Sequence, residues 1–379
     1  MWPPFYIAIY CGSKELDNEG QDNIIAALEH HDRISEIDLH CQKLFVLEKF
    51  SAVTQKPFPV LTDLALVSSD EMALVLHEKF LGGSAPCLRY FSLWNIAFPG
   101  FPKLAPSATH LSYLSLENIP ITGYISPGAM ATCLAALPSL GELYIGFQSP
   151  QSRPDRIVLP PPTRAVLPAL AVFEFKGVNE YLEDLVARID TPKLDRLEIR
   201  LFMDLMFRNP QLHNFMARKK WQFDRAEITF SSSDISIVLS PRYRAVELMI
   251  HCKEPDQQAS SMAQVCSQLP SLISRVEQLD ISEAMPGETL RGNGINPTQW
   301  LGLFHPFLAV KNLLIHGELR PLVARALQEL TGERATEVLP SLRSLSFKGR
   351  WPSRSAWENI QPFITARQHS NHPVDVHWE

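Results

Sequence analysis

The hydrophobic positions of this chain repeat a short pattern, apolar-x-x-apolar-x-apolar, twelve times. Alternation of apolar and polar residues over such a window is typical of a β-strand with one buried face. Successive copies begin 20 to 34 residues apart. This interval is typical of a solenoid, in which each unit buries its apolar face against its neighbours. The copies start at Ile34, Leu61, Leu88, Leu111, Leu140, Leu170, Leu194, Phe223, Tyr243, Val276, Val310 and Leu342.

Segments with apolar residues at helical spacing fall between these strands and predict helices. In six copies a proline stands two residues before the first apolar strand position, as Pro138 does before Leu140, and a proline there ends the preceding helix. The predicted helices span 22–30, 44–53, 71–80, 128–137, 181–189, 203–216, 260–269, 298–308, 321–330 and 356–366.

This alternation predicts an α/β fold, a leucine-rich-repeat-like solenoid with the shape of a horseshoe. Because a crossover helix returns the chain to the same edge of the sheet, we expect about twelve parallel strands on the concave face and helices on the convex face. We expect one repeat domain over 1–379. It would contain a capping strand and helix in 1–32, about twelve repeats in 33–349 and a C-terminal cap in 350–379.

Three segments depart from the period. A proline-rich loop is predicted over 149–168, where three consecutive prolines favour an extended conformation. The copy after Phe223 is only 20 residues long, and its apolar run 235–239 predicts an extra strand or a hairpin in place of a helix. The glycine-rich segment 284–297 predicts a long loop.

Composition narrows the class of protein. The chain has 379 residues, 45% of them hydrophobic, so a folded chain is expected, and its net charge of −6 argues against a nucleic-acid partner. The sequence contains no run of 18 apolar residues, so no membrane span is predicted, and its N-terminus has no signal-peptide pattern. The six scattered cysteines form neither a disulfide framework nor a zinc motif. We therefore expect a cytoplasmic or nuclear protein that is not secreted and does not bind membranes.

Four segments are more specific than a generic leucine-rich repeat, namely 21–37, 81–93, 124–140 and 180–199. They resemble the C-terminal region of fungal F-box proteins, and the likeness extends over nearly the whole chain. The resemblance implies repeats that select a protein for modification by a cullin–RING ubiquitin ligase. It also implies an N-terminal F-box that docks on the Skp adaptor. No leucine–proline opening of an F-box precedes residue 30, so an Skp partner is expected only if an F-box lies upstream.

The solvent-facing strand positions predict a partner-binding surface on the concave face. In five consecutive copies an acid stands between the second and third apolar residues, at Glu174, Glu198, Glu227, Glu247 and Asp280. Stacked like charges repel, and Arg196, Arg200 and Arg225 stand in the flanking columns. Two interpretations follow, a self-neutralised polar network or a site for a basic segment of a partner protein.

The N-terminal half of the same face carries aromatic residues, at Tyr90, Trp94, Tyr113 and Tyr144. Aromatic side chains are frequent hot spots at protein interfaces. Trp94 has a second interpretation, in which the loop 98–101 covers it. Aromatic and acidic positions together favour a protein or peptide ligand over a small molecule.

The sequence contains none of the common nucleotide-binding, hydrolase or zinc-protease motifs. Gly82-Gly83-Ser84 predicts a plain turn, and the histidines do not occur at metal-ligand spacing. We expect no catalytic residue, no cofactor and no metal. The leading prediction is a non-catalytic protein-recognition module like the repeats of an F-box subunit. The alternatives are a stand-alone leucine-rich-repeat scaffold unrelated to ubiquitin and, more weakly, an enzyme on a solenoid scaffold.

Overall fold

A computed structural model describes residues 5–12, 18–41, 50–51, 53–69, 74–150, 163–202, 209–240, 246–284, 295–349 and 354–378. The chain divides into two compact units, Met1–Asp195 and Arg196–Glu379. In both units strands alternate with helices, and a strand is present at all twelve predicted positions, which confirms the α/β, leucine-rich-repeat-like class. The expectation of a single repeat domain with a cap at each end stays a prediction.

The main sheet of the first unit has seven strands in the order β1-β2-β3-β5-β7-β8-β10, all parallel. Its strands are β1 Ile7–Cys11, β2 Ile34–Cys41, β3 Asp63–Ser68, β4 Leu74–Val75, β5 Tyr90–Trp94, β6 Ile96–Ala97, β7 Tyr113–Ile119, β8 Glu142–Phe147, β9 Ala165–Val166, β10 Val172–Gly177 and β11 Ile189–Asp190. Its helices are α1 Asn18–Leu28, α2 Phe101–Leu104, α3 Pro127–Ala135 and α4 Asn179–Arg188, with 3-10 turns at Phe80–Gly83, Ala105–Ser107 and Ile121–Gly123. The short strands pair as β4 with β6 and β9 with β11.

The sheet of the second unit has eight strands in the order β12-β15-β14-β13-β16-β17-β18-β19. They are β12 Arg196–Leu201, β13 Arg225–Phe230, β14 Asp234–Ser240, β15 Val246–His251, β16 Gln278–Glu283, β17 Asn312–His316, β18 Ser344–Lys348 and β19 Asp375–Trp378. The helices are α5 Pro210–Ala217, α6 Pro255–Gln268, α7 Pro270–Ile273, α8 Pro297–Phe304, α9 Arg320–Gln328 and α10 Arg354–His369, with 3-10 turns at Gly317–Leu319 and Gly332–Thr336.

The order of strands in the second unit corrects the expectation of an all-parallel sheet. The extra strand predicted at 235–239 is β14, and it pairs antiparallel with both β13 and β15. Only Ser231–Ser233 separate β13 from β14, which is too few residues for a crossover. The Ser231 amide donates to the Asp234 carbonyl (2.8 Å) and closes this hairpin. As a result β15 lies beside β12, and β13 lies beside β16.

The helix predicted over 71–80 is wrong where the structure describes it. Residues 74–75 form β4, and Phe80–Gly83 is a 3-10 turn with positive φ at Leu81 and Gly82. A Cβ on Gly82 would lie 2.6 Å from the Pro57 nitrogen, so only glycine fits this approach. Residues 42–49, 151–162, 203–208 and 285–294, which carry parts of two predicted helices and two predicted loops, lie outside the described residues.

The apolar strand positions face the helices. Phe175 of β10 packs on Tyr181 of α4 (5.8 Å between ring centroids), and Phe230 of β13 packs on Trp300 of α8 (5.4 Å). Every second strand residue, such as Leu114 and Leu197, is buried on this side. The alternate residues project from the opposite side, which we call the open face of each sheet.

A buried cation holds the last helix. The Arg367 guanidinium on α10 is fully buried and donates to the carbonyls of Leu342 (2.8 Å) and His372 (3.1 Å), with longer bonds to three further carbonyls. Burial lowers the pKa of this guanidinium. Because carbonyl oxygens satisfy its donors, Arg367 fixes α10 against the chain that leads into β18.

Candidate functional site

Strand register arranges the open face of the first unit in three rows that run across the strands. The first row is Glu36, Asp63, Tyr90, Tyr113, Glu142 and Val172. The second is Tyr10, Asp38, Ala65, Ser92, Ser115, Tyr144 and Glu174. The third is His40, Val67, Trp94 and Glu117, after which the register shifts. Five predicted site residues, Tyr90, Trp94, Tyr113, Tyr144 and Glu174, therefore share one surface.

Three tyrosines form a continuous ring contact on this surface. Tyr90 and Tyr113 are direct cross-strand partners whose rings stack with centroids 4.3 Å apart and an interplanar angle of 11°. Tyr144 meets Tyr113 diagonally at 5.1 Å, and its hydroxyl donates to Glu142 (2.8 Å). Cross-strand aromatic pairs of this kind stabilise a sheet and fix the ring positions.

Partial burial raises the pKa values of the two inner tyrosines, Tyr113 and Tyr144. Burial raises the pKa of Tyr113, and the neighbouring Tyr90 hydroxyl, Glu117 and Glu142 raise it further. Burial also raises the pKa of Tyr144, with the hydrogen bond to Glu142 as the next contribution. Both side chains are therefore neutral hydrogen-bonding groups at physiological pH.

Trp94 is the exposed member of the aromatic group, with 45% of its surface accessible. The interpretation in which the loop 98–101 covers it is wrong. Phe98 and Phe101 are buried and pack against Phe91, with ring centroids 6.2 and 6.1 Å away. Because Phe91 and Trp94 are three residues apart on one strand, their side chains point to opposite faces of the sheet.

The first unit also gathers acids that sequence reasoning did not combine into one site. Among the described strand residues its open face carries Glu36, Asp38, Asp63, Glu117, Glu142 and Glu174, and the basic side chains His40 and Lys176. Glu36 and Asp63 lie directly opposite each other. The sequence analysis missed these two acids because they stand just before the second apolar residue of their copies. The predicted acidic column is the next outward-facing position, between the second and third apolar residues. Reading that column together with its neighbour would have found them.

The predicted column of five consecutive acids does not exist as such. In the second unit the register joins Glu198 to Glu247 and Glu227 to Asp280, but Val238 of β14 lies between the two pairs. The hairpin causes this, since it places β15 and β13 on either side of β14.

The predicted arginines neutralise two of these acids. Glu198 is only 4% exposed and accepts hydrogen bonds from Arg196 (2.9 Å) and Arg200 (2.5 Å) on its own strand. Burial by itself would raise the Glu198 pKa, but the two guanidinium groups outweigh it and hold the pKa below its usual range. Asp280, 3% exposed, pairs with Arg225 and accepts from the Gln278 amide (3.1 Å).

The described part of the chain offers little metal-binding or membrane chemistry. No group of three metal-ligating side chains occurs among the described residues. Two exposed histidine–aspartate contacts occur, His40–Asp38 at 3.2 Å and His251–Asp234 at 2.9 Å. None of the helices in the described ranges combines the length and apolar character needed to cross a bilayer.

Comparison with known proteins adds little to this description. No protein-family model matches the sequence, and no curated protein matches it. Among solved structures, the chain is similar to the leucine-rich repeat-containing protein LegL7 from Legionella pneumophila, with 10% identity and a TM-score of 0.30 over 95% of this chain and 97% of that one. So low a TM-score carries no argument about function. The leucine-rich-repeat-like class rests on the repeated strand–helix unit and the parallel register.

Proposed function

We propose that this chain is a non-catalytic protein-recognition module whose open sheet face binds a protein partner. The observation that carries the proposal is the solvent-exposed Trp94 on the same open face as the stacked Tyr90 and Tyr113, opposite the helices. Exposed indole and phenol rings are costly to leave in water and are enriched at the centres of protein interfaces. Rings held by a sheet also lose little conformational entropy on binding.

A finer assignment draws on the resemblance to fungal F-box proteins. In that assignment the repeats select the substrate of a cullin–RING ubiquitin ligase, and an F-box upstream binds the Skp adaptor. The competing assignment is a stand-alone scaffold unrelated to ubiquitin. Co-purification of an Skp adaptor with the protein expressed from its natural locus supports the first, and partners that lack any ubiquitin-ligase subunit support the second.

The setting that we propose is the reducing interior of a cell, the cytoplasm or nucleus. Cys11, Cys87, Cys133, Cys252 and Cys266 are all free, and burial raises the pKa of Cys133 to about 11 and of Cys266 to about 12. Thiols held in the protonated form are inert nucleophiles, so these two behave as core residues.

An enzyme on this scaffold is the weakest assignment. A groove of about 940 Å³ runs along α10 and is lined by residues such as Glu333, Gln361 and His369. It is open to solvent on the helix side of the second unit. Catalytic sites depend on enclosed, preorganised polar groups, and this groove does not enclose its carboxylates.

The test is affinity purification with cross-linking and mass spectrometry, using the intact chain and the variant Trp94→Ala/Tyr90→Ala. We expect the variant to lose a partner whose cross-links map to β5 and β7, because both rings are removed from its contact. Leu308→Ala is the matched control, since Leu308 is 57% exposed outside the strands. Equal capture by the aromatic variant and the control would contradict the proposal.

A charge reversal at Glu198 is unsuitable for this test. Lysine there would stand between Arg196 and Arg200, and three adjacent cations would destabilise β12. A lost partner would then report on folding. Glu227, which is exposed, is the appropriate acid in the second unit.

A further inference from the structure

Small side chains on the open face of the first unit stand between large ones, and we call the strip that they form the depression. Ala65 and Ser92, adjacent in the second row, are the smallest side chains of β3 and β5 on this face. Tyr90 stands two residues before Ser92 and Trp94 two residues after it on the same strand. Residues four apart on a strand are separated by about 13 Å, which leaves room for one extended chain between the two rings.

The ends of this depression are defined by neighbouring strands. On one side Asp38 lies beside Ala65, and on the other Tyr113 and Tyr144 meet over Ser115, which is only 1% exposed. Three strand intervals from β2 to β7 correspond to about 14 Å. This length accommodates about four residues of an extended peptide at roughly 3.3 Å each.

The ionisable side chains around the depression are carboxylates and one histidine, His40, which contacts Asp38 (3.2 Å). Asp63 lies beside Tyr90 in register, Asp38 closes one end, and Glu117 lies beside Trp94. Because the Tyr90 and Tyr113 rings stack across the strands, the outer ring face of Tyr90 is directed towards Asp63. A cation between them would meet a carboxylate and an aromatic face together, two interactions that favour lysine and arginine side chains.

We infer that this depression binds an extended lysine- or arginine-containing segment of the partner protein. The inference rests on the proposed recognition function and specifies the chemistry of the ligand. Charge complementarity and the paired aromatic walls select a cationic, linear peptide over an acidic or apolar one. Asp38, Asp63 and Glu117 would face its cations, and Trp94 would pack on an aliphatic stem or a guanidinium plane.

The experiment titrates fluorescein-labelled hexalysine and hexaarginine into the intact chain and follows fluorescence anisotropy. Asp38→Asn/Asp63→Asn removes two charges while keeping side-chain shape, and we expect binding about 5-fold weaker, the equivalent of two exposed ion pairs. Trp94→Ala should weaken hexaarginine about 3-fold, as expected for an exposed cation–π contact. Raising the salt concentration should weaken binding to the parent chain more than to the double variant.

Glu29→Gln/Asp32→Asn is the matched control, because it removes two exposed carboxylates of the first unit that lie outside the sheet and should leave both affinities unchanged. The inference is overturned if neither cationic peptide binds, if hexaglutamate binds equally well, or if Glu29→Gln/Asp32→Asn weakens binding as much as Asp38→Asn/Asp63→Asn. Suppose that Trp94→Ala/Tyr90→Ala loses its cross-linked partner but the parent binds neither cationic peptide. The proposed recognition function is then supported, and only the inference of a cationic ligand is rejected. If partner capture and peptide binding are both absent, the proposed function fails as well.

Discussion

The acids on the open faces of the two units differ in the side chains that neighbour them. In the second unit, Glu198 and Asp280 are nearly buried beneath arginines that come from the same or the adjacent strand. In the first unit, Glu36 and Asp63 lie opposite each other without an arginine in their rows, and stacked tyrosines stand next to them. Two acids on the open face are therefore bound to arginine in the second unit, whereas Glu36 and Asp63 of the first unit have no arginine in their row.

Like charges that are directly opposite destabilise a sheet, whereas opposite charges stabilise it by a few tenths of a kcal/mol or more. The second unit also has in-register acid pairs, Glu198–Glu247 and Glu227–Asp280, but one member of each pair is bound to arginine. In the first unit Glu36 and Asp63 are in-register neighbours, and Glu36 accepts a hydrogen bond from the Tyr10 hydroxyl. Five measurements test this contrast.

The largest effect concerns the closed faces, where the two units should behave alike. Leu114→Asp in the first unit and Leu197→Asp in the second each bury an unpaired carboxylate among apolar side chains. We expect each change to cost more than about 4 kcal/mol of unfolding free energy, measured by chemical denaturation. A variant that unfolds at the same denaturant concentration as the parent would show that the substituted side chain faces solvent.

The second effect concerns the arginine-neutralised carboxylate of β12. Glu198→Gln removes the carboxylate that accepts from Arg196 and Arg200 and should lower the unfolding free energy by about 2 kcal/mol at neutral pH, since both guanidinium groups remain partly solvated. Glu227→Gln, at an exposed acid of the same sheet, is the control, with an expected change within about 0.5 kcal/mol.

The pH dependence of that difference follows from the lowered pKa of Glu198. A carboxyl whose pKa is lower in the folded chain stabilises it at pH above the unfolded value of about 4.3, and this contribution disappears as pH falls through the folded value. The parent and Glu198→Gln should therefore converge in acid. A difference that persists unchanged to the lowest pH at which both fold would contradict the ion-pair explanation.

The third effect is a loss of stability at alkaline pH that arises from two tyrosines of the first unit. The raised pKa values of Tyr113 and Tyr144 mean that the unfolded chain loses these protons first, so stability declines as pH rises above about 10. At pH 11 the decline is at most about 1.4 kcal/mol per tyrosine, and less with solvent screening. Tyr113→Phe/Tyr144→Phe should flatten this decline in thermal melts. The buried Tyr181, left intact, contributes to the decline that remains.

The smallest effect has the opposite sign to that of Glu198. Asp63→Asn removes the repulsion with Glu36 and should raise the unfolding free energy by a few tenths of a kcal/mol. Thermal melting at low and high salt checks this, because screening should shrink the gain. A loss of stability at low salt would show that Asp63 is compensated and would remove the contrast between the two faces.

Much of the fold follows from the chain's local pattern. The twelve strands, the extra strand at Ile235–Leu239 and most helices lie where periodicity predicts them, because burial of one strand face or one helical stripe depends on neighbouring residues alone. The helix predicted over 71–80 failed because its spacing is also compatible with a short strand followed by a turn, and Gly82 at positive φ selects the turn.

The candidate site was predictable only in part. Trp94, Tyr90 and Tyr113 could be assigned to the open face from alternation, and the arginines beside Glu198 from their position two residues away on one strand. The burial of Glu198 and Asp280 could not be foreseen, because it depends on how far the guanidinium groups fold over them.

The sequence by itself determined which residues point to the helices and which point to solvent, since the two-residue period of a strand is a local property. The tertiary structure alone decided which strands are neighbours. A three-residue turn after Phe230 makes β14 antiparallel, inserts Val238 between Glu247 and Glu227, and so divides the predicted acidic column. Charges on different strands interact according to pairing order, and that order depends on connections between distant parts of the chain.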